Sequence, residues 1–403
     1  MKTQFHCPYR QSTLLQQALA PDKMRIAFFL GAGCPYSIQI PDGTETKPLI
    51  PDIRGLTELV SSKMSAAAQH KMNYATLLKR FDDGALTKPT IEDILSHIRA
   101  LQEVVRNGEI DGLNKTTLAA LDAEICSITT DVVGVALPES NTPYHQLATW
   151  IGGIQRTHPI EVFTPNYDLL VEQALESHKV PYFDGFVGSK QAFFDLTSME
   201  NELLPPRWGR LWKIHGSVNW WRTPNDEVVR REGHAVGDRQ MIYPSHLKYD
   251  QSRRMPYLAM LDRLRAFLAR GQAVLVTCGY SFADVHLNEV IFQGLRSNPT
   301  AICFGLLFGS RSGYADTTAK ARTIPNLSLL AADGAVLGTS ERDWRRDEQT
   351  EHALHGISIT KEEASDTTTK SCKFLLGDFN YFGNFLAQQL SWSDGERVST
   401  DAS

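Results

Sequence analysis

The chain has 403 residues, 42% of them hydrophobic and 22% charged, a balance that excludes a disordered or fibrous protein and allows two to three domains or one large α/β unit with insertions. A formal charge of −5 offers no field that would draw in a polyanion, so direct nucleic-acid binding is not expected. No run reaches the roughly 18 uninterrupted apolar residues of a membrane span, and Met1 to Asp22 lacks a signal-peptide hydrophobic region, so a cytoplasmic location without membrane contact is expected.

In chain order, a segment of residues 1–23 precedes a first buried strand, Arg25–Leu30. Further short apolar runs read as strands at Ile160–Thr164, Leu211–Ile214, Ala273–Thr277, Ala301–Phe308 and Leu327–Ala331. Helical spacing marks Ile53–Ser65, Ile91–Val105, Lys115–Val133, Tyr144–Ile154, Tyr167–Ser177, Tyr257–Ala269 and Asp284–Leu295. Strands alternating with helices imply an α/β fold: a Rossmann-like, doubly wound, mainly parallel sheet over residues 24–335. The helical stretch of about 54–147 exceeds a simple crossover and reads as an insertion.

Asp184–Arg210, rich in Gly, Phe and Pro, reads as loop. Residues 336–403 are expected to form a polar exposed loop over Ser340–Ser371, a docking helix and a frayed tail from Ser391. Phe379, Phe382, Leu386 and Leu390 recur at helical spacing on that docking helix. The basic pairs Arg253–Arg254 and Arg345–Arg346 read as solvated surface. The six cysteines are scattered with no Cys-x-x-Cys spacing, so no zinc ribbon and no metal are expected. Cys278 and Cys303 sit in apolar runs, as buried thiols do in a reducing compartment.

Five short segments at predicted strand ends carry polar groups suited to chemistry. Gly31, Ala32 and Gly33 follow the first strand, where glycines either let a backbone approach a pyrophosphate or form a tight turn. Asp52 and Arg54, in Pro-Asp-Ile-Arg-Gly, read as a helix cap and a phosphate or carboxylate clamp. Asn166 and Asp168, in Thr-Pro-Asn-Tyr-Asp, either hydrogen-bond a ribose and a water or cap the next helix. His215, in Lys-Ile-His-Gly-Ser, is a proton acceptor near neutral pH or a structural histidine. In Cys-Gly-Tyr-Ser-Phe-Ala-Asp, Gly279 and Ser281 offer turn amides and a hydroxyl to a phosphate, and Asp284 reads as a helix cap.

Taken in order, Gly-Ala-Gly, Pro-Asp-x-Arg-Gly, Asn-x-Asp, His-Gly and Gly-x-Ser resemble the sirtuin superfamily over about Arg25 to Leu295. The Thr-x-Asn-Tyr-Asp and Gly-Tyr-Ser-Phe-x-Asp-x-His forms resemble bacterial sirtuin-like proteins of anti-phage defence, some of which pair with a HerA-type ATPase. The resemblance implies an NAD glycohydrolase, with NAD as substrate and no metal. It implies Gly31, Ala32 and Gly33 at the diphosphate, Asp52 and Arg54 near the nicotinamide ribose, and Gly279 and Ser281 near the adenosine half. Asn166, Asp168 and His215 are the implied catalytic set.

The resemblance also implies a homo-oligomer and a HerA-type hexameric ATPase as partners. Two departures stand out: Pro35–Leu49 is inserted between the glycines and Asp52, and the four zinc-binding cysteines of deacetylating sirtuins are missing between His215 and Gly279. The alternatives are an NAD-dependent protein deacylase or ADP-ribosyl transferase using the same pocket, and a non-catalytic NAD or ADP-ribose sensor subunit.

Overall fold

Nine strands build the central sheet: β1 (Arg25–Leu30), β2 (Glu161–Thr164), β3 (Tyr182–Phe183), β4 (Gly209–Lys213), β5 (Ala273–Cys278), β6 (Ala301–Leu306), β7 (Leu327–Leu330), β8 (Gly334–Leu337) and β9 (Ser340–Asp343). A computed structural model of the chain describes residues 5–20, 24–82, 88–153, 156–200, 204–233, 239–242, 255–345, 359–362 and 372–392. The strand order is β9-β8-β7-β6-β5-β1-β2-β4-β3. Pairings from β3 through β7 are parallel, and only β7–β8 and β8–β9 are antiparallel. From β1 the chain winds first toward β2 and later returns to β5 on the other side, so the topological switch point lies between β1 and β5. Ligands of open α/β sheets bind at such a crevice, beyond the carboxyl ends of the strands.

Burial follows from the strand sequences. In β1, Ile26, Phe28 and Leu30 belong to one apolar cluster, whereas Ala27 and Phe29 belong to another on the opposite face. β5 divides in the same way, with Val274, Val276 and Cys278 on the first face and Ala273 and Leu275 on the second. Both faces are therefore covered, which is why these strands are continuous apolar runs rather than alternating ones. Each such large side chain contributes about 1.5–3 kcal/mol by its burial.

Among the described residues between β1 and β2, five longer helices follow a short one at Gly33–Ser37: Ile53–Ala66, Lys71–Asp82, Ile91–Val105, Lys115–Val133 and Pro143–Gly153. Their starts are encoded locally. Asp52 caps the first, and Thr90 with Asp93 forms a reciprocal capping box on the third. The inserted Pro35–Leu49 is a hairpin of Gln39–Asp42 and Glu45–Pro48 preceded by a short helix, Gly33–Ser37.

Several segments depart from the sequence expectation. Residues 8–18 form a helix, begun by Pro8 at a position where a missing N–H costs nothing. Ahead of it, His6 exchanges main-chain hydrogen bonds with Asp343 and Arg345. The expected loop at Asp184–Arg210 instead contributes Phe186–Val187 and Ala192–Phe194 to a second sheet, completed by Val228–Arg230, Gly216–Arg222 and Arg239–Ile242. Strands of two or three residues leave no readable period.

Part of the expected polar loop at Ser340–Ser371 is ordered strand. Ser340–Asp343 is edge strand β9, where charged residues are favoured, and Thr360–Glu362 pairs with Cys372–Phe374. Arg253, Arg254, Arg346, Thr367, Thr368 and Thr369 lie outside the described residues, as does the tail beyond Trp392. The last helix, Phe379–Trp392, docks on the chain itself: Phe382 lies 6.0 Å from Phe28 and Phe379 lies 5.0 Å from Tyr144, ring centre to ring centre. Its apolar face is core, not a surface held out for a partner. Among the described residues, no helix is long and apolar enough to cross a membrane.

Candidate active site

Four loops meet at the carboxyl edge of β1, β2, β4 and β5, and hydrogen bonds tie each to the next. The loop after β1 meets the loop after β5 backbone to backbone: the Gly33 amide donates to the Gly279 carbonyl at 2.8 Å, and the Gly31 amide to Cys278 at 2.9 Å. A Cβ on Gly31 would lie 2.3 Å from the Gly279 oxygen, and one on Gly279 would lie 2.4 Å from the Cys34 nitrogen. Gly279 also has a φ of +62°, a conformation that favours glycine. The glycines are thus demanded by the contact between the two loops, and the Gly31 and Gly33 amides are spent inside the protein. Ala32 is the exposed residue of the three, so a diphosphate placed here would meet the loop through Ala32.

The loop after β2 is held by a relay. Thr164 Oγ1 donates to the Leu30 carbonyl at 2.8 Å and accepts from the Asn166 amide at 3.0 Å. Asn166 Nδ2 then donates to the Gly31 carbonyl at 3.1 Å, so this half-buried side chain is fixed against the loop after β1. The expected helix start at Tyr167 falls at Leu170 instead, because Thr164–Leu169 is given to this turn. Asp168 is 5% exposed, and its carboxylate accepts from the Leu170 amide at 3.1 Å. Burial pushes its carboxyl above the usual range, opposed by the nearby Lys213. Its place is under the turn.

His215 follows β4 directly. The Ile214 amide donates to Thr164 at 2.9 Å and the Val218 amide to Tyr167 at 3.0 Å, which locks this segment to the Asn166 turn. The imidazole Nε2 lies 3.5 Å from Asp284 Oδ2, with both side chains largely buried. Asp284 belongs to the loop after β5, where its Oδ1 caps the helix Val285–Ser297 through the His286 and Leu287 amides. Asp284 therefore faces the His215 imidazole with one carboxylate oxygen and caps the helix with the other. The sequence pattern showed only the cap, since nothing in a linear reading joins positions 215 and 284.

The remaining sequence candidates divide. Ser281 is exposed on the loop after β5, beside Tyr280, whose ring packs at a tilt against Phe29 and Phe282 and whose hydroxyl donates to Asn288. Asp52 accepts from the Gly55 amide at 2.8 Å as the cap of its helix, and Arg54 is exposed on the first turn. The insertion reaches the site at another residue: Tyr167 donates to Glu92 at 3.0 Å, joining the Asn166 turn to the helix Ile91–Val105. All six cysteines are free thiols. Among the described residues, no group of three His, Cys, Asp or Glu is placed to hold a metal.

Residues 160–323 match the family model described as the SIR2-like domain. The matched span contains Asn166, Asp168, His215, Gly279, Ser281 and Asp284, and begins after the glycine loop, Asp52 and Arg54. Among solved structures, a SIR2 homologue in complex with NAD aligns over 81% of this chain and 91% of its own, at 14% identity and a TM-score of 0.38. A mutant Sir2 homologue in complex with ADP-ribose aligns over 96% and 99%, at 11% identity and a TM-score of 0.38. No curated protein matches the chain. Between His215 and β5 this sequence holds no cysteine, and the described residues there include strands of the antiparallel sheet, Gly216–Arg222, Val228–Arg230 and Arg239–Ile242.

Proposed function

We propose that the protein is an NAD glycohydrolase, cleaving NAD to nicotinamide and ADP-ribose. The observation that carries this reading is the convergence of Asn166 and the His215–Asp284 pair on the switch-point crevice between β1 and β5. A binding module needs no histidine backed by a carboxylate; a site that moves a proton does.

Breaking the bond between ribose C1′ and the nicotinamide nitrogen develops positive charge on the ribose, as in other glycoside hydrolyses. The pyridinium nitrogen takes the bonding electron pair and leaves as neutral nicotinamide. A water oxygen adds to C1′, and its proton passes to His215, whose imidazolium is stabilised by the Asp284 carboxylate. Asn166 orients the ribose or the water, with its own side chain steadied by Gly31. Ala32 and Ser281, exposed on the loops after β1 and β5, face the diphosphate and the adenosine half. Asp168 acts from beneath by shaping the turn.

NAD depletion in anti-phage defence, controlled by self-association or by a HerA-type ATPase, belongs to the same proposal. Its support is the Thr164–Asp168 and Gly279–His286 sequence forms. Nicotinamide release from NAD by the purified protein tests the activity, with Asn166→Ala and His215→Ala as controls. Release without acyl-lysine peptide, lost in both variants, is expected. Release only with peptide would replace the reading by a deacylase, and NAD binding without release would replace it by a sensor.

A further inference from the structure

Beneath the four loops lies a buried ion pair, Lys213 with Glu172, to which the proposed reaction gives no role. Lys213, the last residue of β4, is 1% exposed. Its ammonium lies 3.2 Å from Glu172 Oε1 and donates to the main-chain carbonyl of Asp168. Glu172 stands in the first turn of the helix Leu170–Ser177, and the Asp168 carboxylate accepts from the Leu170 amide just before it. Burial pushes the Glu172 and Asp168 carboxyls upward while Lys213 opposes it.

Placing charges in an interior costs several kcal/mol each before their attraction offsets it, and an aliphatic pair of similar volume often serves stability better. A parallel strand does not require a lysine at its end. What the ammonium does here is geometric. It sits two residues before His215 on one segment and grips the carbonyl two residues after Asn166 on the other. One buried cation thus spans the two segments that carry the groups placed in the chemistry.

We infer that Lys213 is a positioning residue, anchored by Glu172, that holds the Asn166 turn in register with His215; this rests on the reading of the site given above. Glu172 sets the ammonium, the ammonium sets the Asp168 carbonyl, and the turn so fixed aims Asn166.

The test compares wild type, Glu172→Gln, Lys213→Met and the double variant Lys213→Met/Glu172→Gln by steady-state nicotinamide release, thermal unfolding and amide hydrogen exchange over residues 164–170. Lys213→Met is expected to lose stability, because it leaves buried carboxyls without their cation. The double variant, relieved of one of them, is expected to recover stability but not turnover. Its kcat stays about 10- to 100-fold low, as for a misplaced reacting group, with KM for NAD little changed and faster exchange over 164–170. Glu172→Gln keeps an oxygen facing Lys213 and is expected to lose kcat partially, again with faster exchange over that turn.

A double variant that regains both stability and kcat overturns the inference, as do wild-type kcat and exchange in Glu172→Gln. If the wild-type protein releases no nicotinamide, the functional reading fails and the exchange comparison still decides the role of Lys213. Acceleration confined to 164–170 supports it, and unchanged exchange there overturns it.

Discussion

Asp284 divides its two carboxylate oxygens between two tasks: Oδ1 accepts from the His286 and Leu287 amides at 2.9 and 3.1 Å, while Oδ2 lies 3.5 Å from His215 Nε2. Asparagine caps helices about as well as aspartate but carries no charge. Asp284→Asn is therefore expected to unfold at nearly the wild-type temperature while nicotinamide release falls by about 10²-fold, the scale of general acid–base assistance. Asp284→Ala should lose the same activity and in addition about 1 kcal/mol of stability from the cap. Full turnover in Asp284→Asn would remove the carboxylate from the mechanism and leave it as a cap only.

Asn166 makes its own prediction through the direction of its hydrogen bond. Nδ2 donates to the Gly31 carbonyl, and an aspartate there would face that carbonyl with acceptors alone. Asn166→Asp should therefore cost turnover as severely as Asn166→Ala, about 10²-fold for a lost orienting group, although its shape is unchanged. Both variants should stay folded, since one hydrogen bond is worth about 1 kcal/mol. An active Asn166→Asp protein would show that the contact to Gly31 is not what aims the side chain.

The glycine loop separates a packing requirement from a ligand requirement. A methyl group at Gly31 would meet the Gly279 oxygen at 2.3 Å and the Tyr280 Cα at 2.6 Å, both main-chain atoms that cannot swing aside. Gly31→Ala should destabilise the fold by about 1–3 kcal/mol or more, as overpacking does, and chemical denaturation of the NAD-free protein measures it. A variant that keeps wild-type stability and loses only NAD affinity would restore the pyrophosphate explanation of this glycine.

What was legible in the sequence tracks what is periodic in it. Arg25–Leu30 was readable because a strand covered on both faces is an unbroken apolar run, and Ile91–Val105 because its apolar positions recur with the helical turn. The candidate residues at strand ends were readable for the same reason, since the strands locate the edge of the sheet. The strands at Phe186–Val187 and Ala192–Phe194 were not, because two or three residues carry no period. Nor was the pairing of His215 with Asp284, or of Lys213 with Glu172, because each is made by sheet order. The glycines were legible as glycines, but their cause lies in the approach of β1 and β5 loops, separated by nearly the whole Rossmann unit.

The C-terminal helix supplies a plain stability prediction. Phe382 is fully buried and packs near Phe28 of β1, while Gly383 lies against Pro143. Phe382→Ala should cost about 3–5 kcal/mol, the usual range for emptying an aromatic site in a core. Equilibrium denaturation would show it, and a loss below 1 kcal/mol would mean that the helix docks weakly and leaves its apolar face open to another partner.

Glu172 gives stability a pH dependence whose direction can be worked out. Burial raises its carboxyl above the ordinary value of 4.5, against the pull of Lys213. A group that binds its proton more tightly when folded contributes stability that is fully present below the unfolded pKa and is lost as pH rises through the folded one. Glutamine does not titrate, so Glu172→Gln lacks this loss. The stability of wild type relative to Glu172→Gln should therefore fall as pH is raised from 4.5 toward neutrality, measured by urea unfolding at a series of pH values. A relative stability that instead grows with pH would mean that Lys213 outweighs burial and holds Glu172 as a net stabilising carboxylate.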